Sequence, residues 1–130
     1  MATNNAINNT SFIMVNASTI QQIEPGYIYN ITTTDAYSFT LPITAHIGQV
    51  FGIIFIYPVS GFSNEADFTI NQNANQYITK VPGTSTTVGT SGYIKSSNLF
   101  PCVYDTFICI EENNGWMRFG GGIGEYSDWA

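Results

Sequence analysis

Residues 50–58, VFGIIFIYP, constrain the fold most, because almost none of their side chains is polar. Successive side chains of a β-strand point to opposite faces, so a strand here would be apolar on both faces. A second sheet would cover one face in a sandwich. Contiguous exposed apolar surface is rare on soluble monomers, so the other face needs a further cover. A symmetric copy of the chain is the economical cover, and we expect an oligomer.

Short-range patterns along the rest of the chain predict an all-β fold. There is no helical period, and alternating, β-branched and aromatic residues are divided by turn residues at short spacing, which is typical of a sandwich or barrel. We predict an antiparallel β-sandwich or jelly-roll-like domain. Its predicted strands cover residues 12–15, 27–33, 37–41, 49–57, 67–71, 77–81, 91–94, 106–111 and 116–119.

Turn residues and glycine content define the domain limits. Pro25-Gly26 fits a type II turn, Leu41-Pro42 ends a strand because proline cannot donate to a ladder, and Asn113-Asn114-Gly115 is a hairpin signal. We predict a flexible N-terminal arm at 1–10, one β domain at 11–119 and a glycine-rich tail at 120–130. Three apolar residues of the tail indicate that it docks on something, such as a neighbouring subunit: Ile123, Tyr126 and Trp129.

The charge of the chain and the length of its apolar runs argue against two classes of partner. Charged residues make up 9% of the sequence and the net charge is −6 with the histidine neutral, with Lys80, Lys95 and Arg118 as the lysine and arginine side chains. Phosphate neutralisation needs several cations, so we expect no nucleic-acid partner. No apolar run approaches the roughly 20 residues of a membrane span, and we expect no membrane insertion. The first ten residues lack the basic and apolar regions of a signal peptide.

Two cysteines, Cys102 and Cys109, are too few for a disulfide framework. A two-residue turn at Asp105-Thr106 would place them opposite each other in a hairpin. That turn lacks the glycine or asparagine that tight hairpins favour. The alternative, which we favour, is two small buried residues on one strand.

The sequence places no catalytic or metal-binding group, and we expect neither enzymatic activity nor a cofactor. His46 is the only histidine, which excludes a cluster of histidine ligands and leaves little basis for a Ser-His-Asp triad. Glu111 and Glu112 are adjacent and would point to opposite faces of a strand. Glu65 and Asp67 lack the ordered spacing of a calcium loop.

Aromatic and amide residues raise the question of glycan binding, because neutral glycans are bound by aromatic faces and amide hydrogen bonds. Aromatic residues make up 15% of the chain. The possible ligand contacts lie in one turn, and the competing interpretation is a solvated turn without ligand: Asn71, Asn73, Asn75 and Gln76. Other residues are candidates for packing in the core or at a subunit interface: Phe51, Ile53, Phe55, Tyr57, Ile108 and Trp116.

The order of several short motifs resembles the small β-structured modules of phage tail fibres, tailspikes and related virion appendages. Those modules share a TLP strand end, a glycine before the next strand, an I-x-x-N turn and a closing G-x-W hairpin. The likeness covers residues 27–120. The matching residues are Thr40-Leu41-Pro42, Gly48, Ile70 with Asn73, and Asn114-Gly115-Trp116.

The resemblance implies a trimeric, β-rich component of a virion that decorates a capsid or tail or contacts the host surface. This chain lacks the coiled-coil or collagen-like stalk of a long fibre. We therefore predict a non-enzymatic structural protein on the outside of a virion, homotrimeric and bound to other virion proteins. The alternative is a lectin-like attachment domain that binds a host-surface glycan.

Overall fold

A computed structural model describes residues 12–33, 35–56, 68–80, 83–96, 102–121 and 126–130. These residues form strands and turns, with no helix among them. The strands are β1 Ile13–Asn16, β2 Ile20–Gln22, β3 Tyr27–Ile31, β4 Tyr37–Thr40, β5 Val50–Ile56, β6 Phe68–Asn71, β7 Tyr77–Lys80, β8 Thr84–Ser85, β9 Tyr93–Ser96, β10 Cys102–Glu111, β11 Gly115–Gly121 and β12 Tyr126–Trp129.

The strands form two sheets that pack as a sandwich-like, all-β domain. The seven-stranded sheet has the order β1-β3-β5-β10-β11-β7-β8, and the five-stranded sheet has the order β12-β9-β6-β4-β2. The first six strands alternate between the sheets, so that β1, β3 and β5 lie in one and β2, β4 and β6 in the other. Each crossing therefore moves the chain one strand along a sheet.

This winding corrects the prediction of antiparallel sheets. The pairs β1–β3, β3–β5, β2–β4, β4–β6 and β7–β11 are parallel, so both sheets are mixed. Parallel neighbours need a crossover connection, and here a strand of the opposite sheet serves as the crossover. Side-chain alternation is the same in both kinds of pairing, so the sequence pattern could not distinguish them.

Aromatic side chains from both sheets fill the core. Phe51 and Phe107 are fully buried and stack with ring centroids 4.9 Å apart, and Trp116 meets Phe51 edge-on at 5.0 Å. The rings of Tyr29 in the seven-stranded sheet and Phe39 in the five-stranded sheet meet edge-on, with their centroids 6.0 Å apart. Fully burying one large apolar side chain contributes about 1.5–3 kcal/mol, so this cluster fixes how the two sheets face each other.

All nine predicted strands are confirmed, with shifts of a few residues at their ends, and β2, β8 and β12 are additional. Gly26 has a φ of 94°, as the type II turn at Pro25-Gly26 requires. Asn113 has a φ of 63° in the turn that joins the antiparallel strands β10 and β11. The predicted hairpin is therefore confirmed.

The glycine-rich tail was predicted to be flexible and to dock on something, such as a neighbouring subunit, and its described part docks on the same chain. Strand β11 continues through Gly121, and β12 pairs with β9 of the same chain. Ala130 donates its N–H to the Tyr93 carbonyl, and its own carbonyl accepts from Thr87 and Tyr93. The edge of β9 offers backbone groups that the tail satisfies. Residues 1–11 and Ile123 lie outside the described residues.

The hairpin interpretation of the cysteines is wrong. Cys102 and Cys109 lie on one strand, β10. Seven residues at about 3.3 Å each separate their backbones by roughly 23 Å, far beyond disulfide reach. Cys109 is a buried free thiol, as the favoured interpretation predicts.

Candidate functional site

The outer face of the seven-stranded sheet is mostly apolar across its four central strands, and Asn30 and Thr106 are the polar side chains that the strand register also places there. The strand register places a set of large apolar side chains on the side of this sheet opposite Phe51 and Phe107. We call this surface the outer apolar face, and its members are Ile28, Val50, Ile54, Tyr104, Ile108, Met117 and Phe119.

The outer apolar face remains partly open in the single chain. Tyr104 and Phe119 are 42% and 40% exposed, and Ile28, Ile54 and Ile108 are half-buried. Gly52 lies beneath the Ile28 side chain, which would stand 3.4 Å from an added Cβ, so Ile28 covers the backbone there. Among the described residues, the charged side chain on this side of the sheet is Glu111, at the end of β10 beside Tyr77.

The outer face of the five-stranded sheet has the opposite composition. Its exposed edge carries Ile20, which is 85% exposed, and Tyr93 also lies on this side. The strand register gives the other described members of this face as polar: Gln22, Ser38, Thr40, Thr69, Asn71 and Lys95. One outer face is thus fit for water and the other for a further apolar surface.

The packing candidates divide between the two sides of the seven-stranded sheet. Phe51, Ile53 and Trp116 are fully buried between the sheets, and Ile108 lies on the outer apolar face. Phe55 belongs to β5 by its backbone, and Tyr57 lies outside the described residues. The prediction that this strand is apolar on both faces is confirmed for Phe51 and Ile53 on one side and for Val50 and Ile54 on the other.

Gln76 was a candidate for ligand contact, and its position contradicts that role. It is 1% exposed, and its amide nitrogen donates to the carbonyls of Pro42, at 2.7 Å, and Asn113, at 2.9 Å. Its side-chain oxygen accepts from the Asn73 N–H at 2.8 Å. An amide whose groups are engaged inside the fold is not free for a sugar hydroxyl.

Neighbouring amides are used in the same way. Asn73 donates to the Leu41 carbonyl at 3.0 Å, and Asn71 donates to the Ser38 hydroxyl at 2.9 Å and the Phe39 carbonyl at 3.0 Å. These bonds tie the turn after β6 to the end of β4.

Gln72, which the sequence analysis did not select, is the most connected of these residues. It is 4% exposed, and the two N–H groups of its amide are shared among three carbonyls within hydrogen-bond distance, those of Gln76, Thr87 and Gly89. Its side-chain oxygen accepts from the Thr86 hydroxyl. We call Gln72, Asn73, Gln76 and Asn113 the amide end of the sandwich. Its bonds between side-chain amides and backbone carbonyls satisfy loop groups that strand ladders do not reach.

Asn75 is the one amide of the four candidates that is exposed, and its φ of 68° places it in the left-handed region. Asparagine tolerates that conformation better than most residues. The turn therefore gives Asn75 a backbone role as well.

The short motifs that carry the resemblance meet at the amide end. Gln76 and Asn73 bind the TLP segment at Pro42 and Leu41, and Gln76 also binds the hairpin at Asn113. Gly48 has a φ of 94° and donates its N–H to the Cys109 carbonyl. The motifs therefore specify how the loops at this end are joined.

A shallow, open cleft lies at the same end of the sandwich, beside His46. Glu24, Thr44 and Gln49 also line it. The Nδ1 atom of His46 lies 2.7 Å from the Glu112 carboxylate, and both side chains are more than half exposed. The described residues contain no cluster of three or more His, Cys, Asp or Glu side chains placed to hold a metal ion.

A buried ion pair lies at the other end of the seven-stranded sheet. Arg118 Nε donates to both carboxylate oxygens of Asp105, at 2.8 and 2.9 Å. The Asp105 side chain is 2% exposed, so the pair compensates a charge that burial alone would penalise.

In the described part of the chain, no helix has the length and apolar character needed to cross a membrane.

Most members of the outer apolar face do not stand out in the sequence, among them Tyr104, Met117 and Phe119. Each is a large apolar residue in a predicted strand or next to one. The available signal was that their side chains lie on the same side of the sheet as that of Ile108. That signal becomes informative only once the pairing of β10 with β5 and β11 is known.

A scan of known protein families finds none that matches the chain, and a search of curated proteins finds no similar one. The resemblance to virion appendages therefore stays a prediction.

Proposed function

We propose that the chain is a non-enzymatic structural protein of a virion that self-assembles through the outer apolar face and decorates the outside of a capsid or tail. The observation that carries the proposal is the contrast between the two outer faces. Tyr104 and Phe119 stay about 40% exposed at one face, whereas Thr40, Thr69 and Lys95 occupy the other. Large exposed apolar surfaces on proteins usually mark an interaction site. The outer apolar face, in contrast to the polar face of the five-stranded sheet, is therefore where a protein partner binds.

A second copy of the chain is the occupant that we propose for this face. The described outer face carries no cation and only Glu111 at its end, so it offers no charge pattern by which to select a different protein. An apolar, nearly uncharged face resembles the core of a homo-oligomeric interface. The homotrimer itself follows from the resemblance to trimeric virion modules.

The low charge of the chain supports a place in an assembly. Only 9% of the residues are charged, against about 25% in typical soluble domains. A surface rich in Asn, Thr, Ser and Gln is stable in a particle, where colloidal solubility of the single chain matters less.

The glycan-binding alternative loses its main support at the amide end. Gln76, Asn73 and Asn71 were its proposed contacts, and each donates its amide hydrogen bonds within the chain. The structural role therefore accounts for more of the observed residues than sugar binding does.

Immunogold labelling of particles from the source culture tests the proposal. Antibodies raised against the folded protein are expected to label the outside of intact particles. Abundant protein in the soluble host fraction, with no label on particles that the culture produces, would contradict the virion role. Variants at Tyr104 separate a failure to assemble from a failure to dock on the particle.

A further inference from the structure

The apolar surface of the chain continues from the outer apolar face onto one edge of the seven-stranded sheet. That edge is β1 together with the residue before it: Phe12, Ile13 and Met14 are 43%, 58% and 56% exposed, and Ile13 lies on the opposite side of the strand from Met14. Met14 pairs in register with Ile28, a member of the outer apolar face. We call Phe12, Ile13 and Met14 the β1 edge.

The two edges of the seven-stranded sheet are unlike each other. The edge strand opposite β1 is β8, which has two residues, Thr84 and Ser85, both polar and exposed. Short polar edges are one of the ways in which proteins prevent strand addition. Strand β1 has four residues, and residues 12–22 include no charged side chain and no proline. Within the described residues, the β1 edge thus carries neither a charge nor a proline that would block strand addition.

Among the described residues, the backbone of β1 has a partner strand on one side only. Among the described strands β1 pairs only with β3, in parallel. Its other side presents N–H and C=O groups that a neighbouring chain can approach. The edge therefore combines apolar side chains with backbone groups available for a partner.

A simple face-to-face dimer leaves part of the exposed apolar surface uncovered. Four strands at about 4.8 Å spacing and seven residues at about 3.3 Å give a planar area of about 440 Å². A typical stable interface buries about 800 Å² on each partner. A face-to-face dimer would bury the face once per chain and would leave the β1 edge exposed.

We infer that the β1 edge of one copy packs against the outer apolar face of the next, which makes the self-contact heterologous and closes it into a ring. Such a contact joins two different patches, as a cyclic trimer requires. Each chain then buries both patches, one in each of its two contacts. The inference rests on the proposed self-assembly and specifies its geometry.

Cross-linking of mixed cysteine variants tests the geometry. A background with Cys102→Ser and Cys109→Ala is first confirmed to keep the solution mass and near-ultraviolet circular dichroism of the unmodified protein. Met14→Cys and Tyr104→Cys are then made in separate chains, mixed through reversible dissociation and treated with a bismaleimide. A Thr69→Cys variant, on the polar outer face, is the matched control for Tyr104→Cys.

The inference predicts linked chains when the Met14→Cys and Tyr104→Cys chains are mixed, and none from either variant alone or from Met14→Cys with Thr69→Cys. Linked dimers from Tyr104→Cys alone would show a face-to-face contact, and linked dimers from Met14→Cys alone would show an edge-to-edge contact. Either result would overturn the ring while leaving self-assembly intact. So would a trimeric mass without any cross-link. A monomeric mass of the unmodified protein would overturn self-assembly itself, and the ring with it.

Discussion

The outer apolar face and the amide end differ in how far the chain satisfies them by itself. At the amide end, Gln72 and Gln76 are almost fully buried and donate to backbone carbonyls from four different loops and turns. On the outer apolar face, Tyr104 and Phe119 remain about 40% exposed. A polar cluster that is internally complete holds the fold together, and an apolar surface that is incomplete within one chain is where assembly is expected.

The largest effect is expected from a charge on the outer apolar face. Tyr104→Glu would require a carboxylate to be buried against an apolar neighbour, which costs far more than a contact of this size supplies. We expect the assembly to dissociate to single chains, with the thermal unfolding of the monomer retained. Light scattering measures the mass.

Thr69→Glu is the matched control for that variant. Thr69 lies on a central strand of the polar outer face, next to Lys95 in register, where a carboxylate is well tolerated. Its mass should equal that of the unmodified protein. Dissociation in both variants would mean that added negative charge, rather than the particular face, disrupts the assembly.

Shortening a core side chain of the seven-stranded sheet should affect folding stability, whereas the change on its outer apolar face should affect assembly. Trp116→Ala should lower the free energy of unfolding by about 3–5 kcal/mol, because a fully buried indole leaves a cavity. Denaturant titration measures the change. Trp116→Phe keeps a ring and removes Nε1, the buried side-chain nitrogen for which the described structure provides no hydrogen-bond partner, so it should cost less. Unchanged stability in Trp116→Ala would show that Trp116 is not part of the core.

At the amide end, Gln76→Ala should destabilise the fold by about 2–3 kcal/mol, since the carbonyls of Pro42 and Asn113 and the Asn73 N–H lose their partner. Thermal or denaturant unfolding measures the loss. Asn75→Gly is the control in the same turn. Its φ of 68° suits glycine, and stability should change by less than about 0.5 kcal/mol. Equal effects would mean that Gln76 has no special role in joining the loops.

The smallest effect concerns the pH dependence of Cys109. Burial, more than any other cause, raises the pKa of its thiol. The pKa of the thiol in the folded protein then exceeds that in the unfolded chain. The contribution of this thiol to folding stability is therefore present below about pH 8.5 and is lost as pH rises through the raised pKa. In a Cys102→Ser background, labelling of the native thiol at pH 9 should be much slower than after unfolding. Equal rates would contradict the buried position of Cys109.

The sequence predicts the strands better than it predicts their pairing. Alternation and turn residues located β3, β4, β6 and the β10–β11 hairpin, because these signals are local. The parallel winding of β1 to β6 depends on which sheet each short connection leads to, and no local pattern records that choice. The terminal strand β12 was missed because its glycine-rich context outweighed the weak strand signal of residues 126–129.

The same limit applies to the site. The apolar strand at 50–56 correctly indicated a face packed against the second sheet, and Ile108 was selected for the same reason as that strand. The amides of Asn71, Asn73 and Gln76 were ambiguous in sequence, because a residue type that binds sugars also bonds to backbone carbonyls. Only their positions, next to Phe39, Leu41 and Pro42, show which partners they have.

The solution mass of the purified protein, measured by multi-angle light scattering over a wide range of concentrations, tests the central claim most directly. The claim is that the outer apolar face is covered by another copy of the chain. It predicts a mass of three chains that persists on dilution into the low micromolar range. A mass of one chain at every concentration, from a protein with cooperative thermal unfolding, would contradict it.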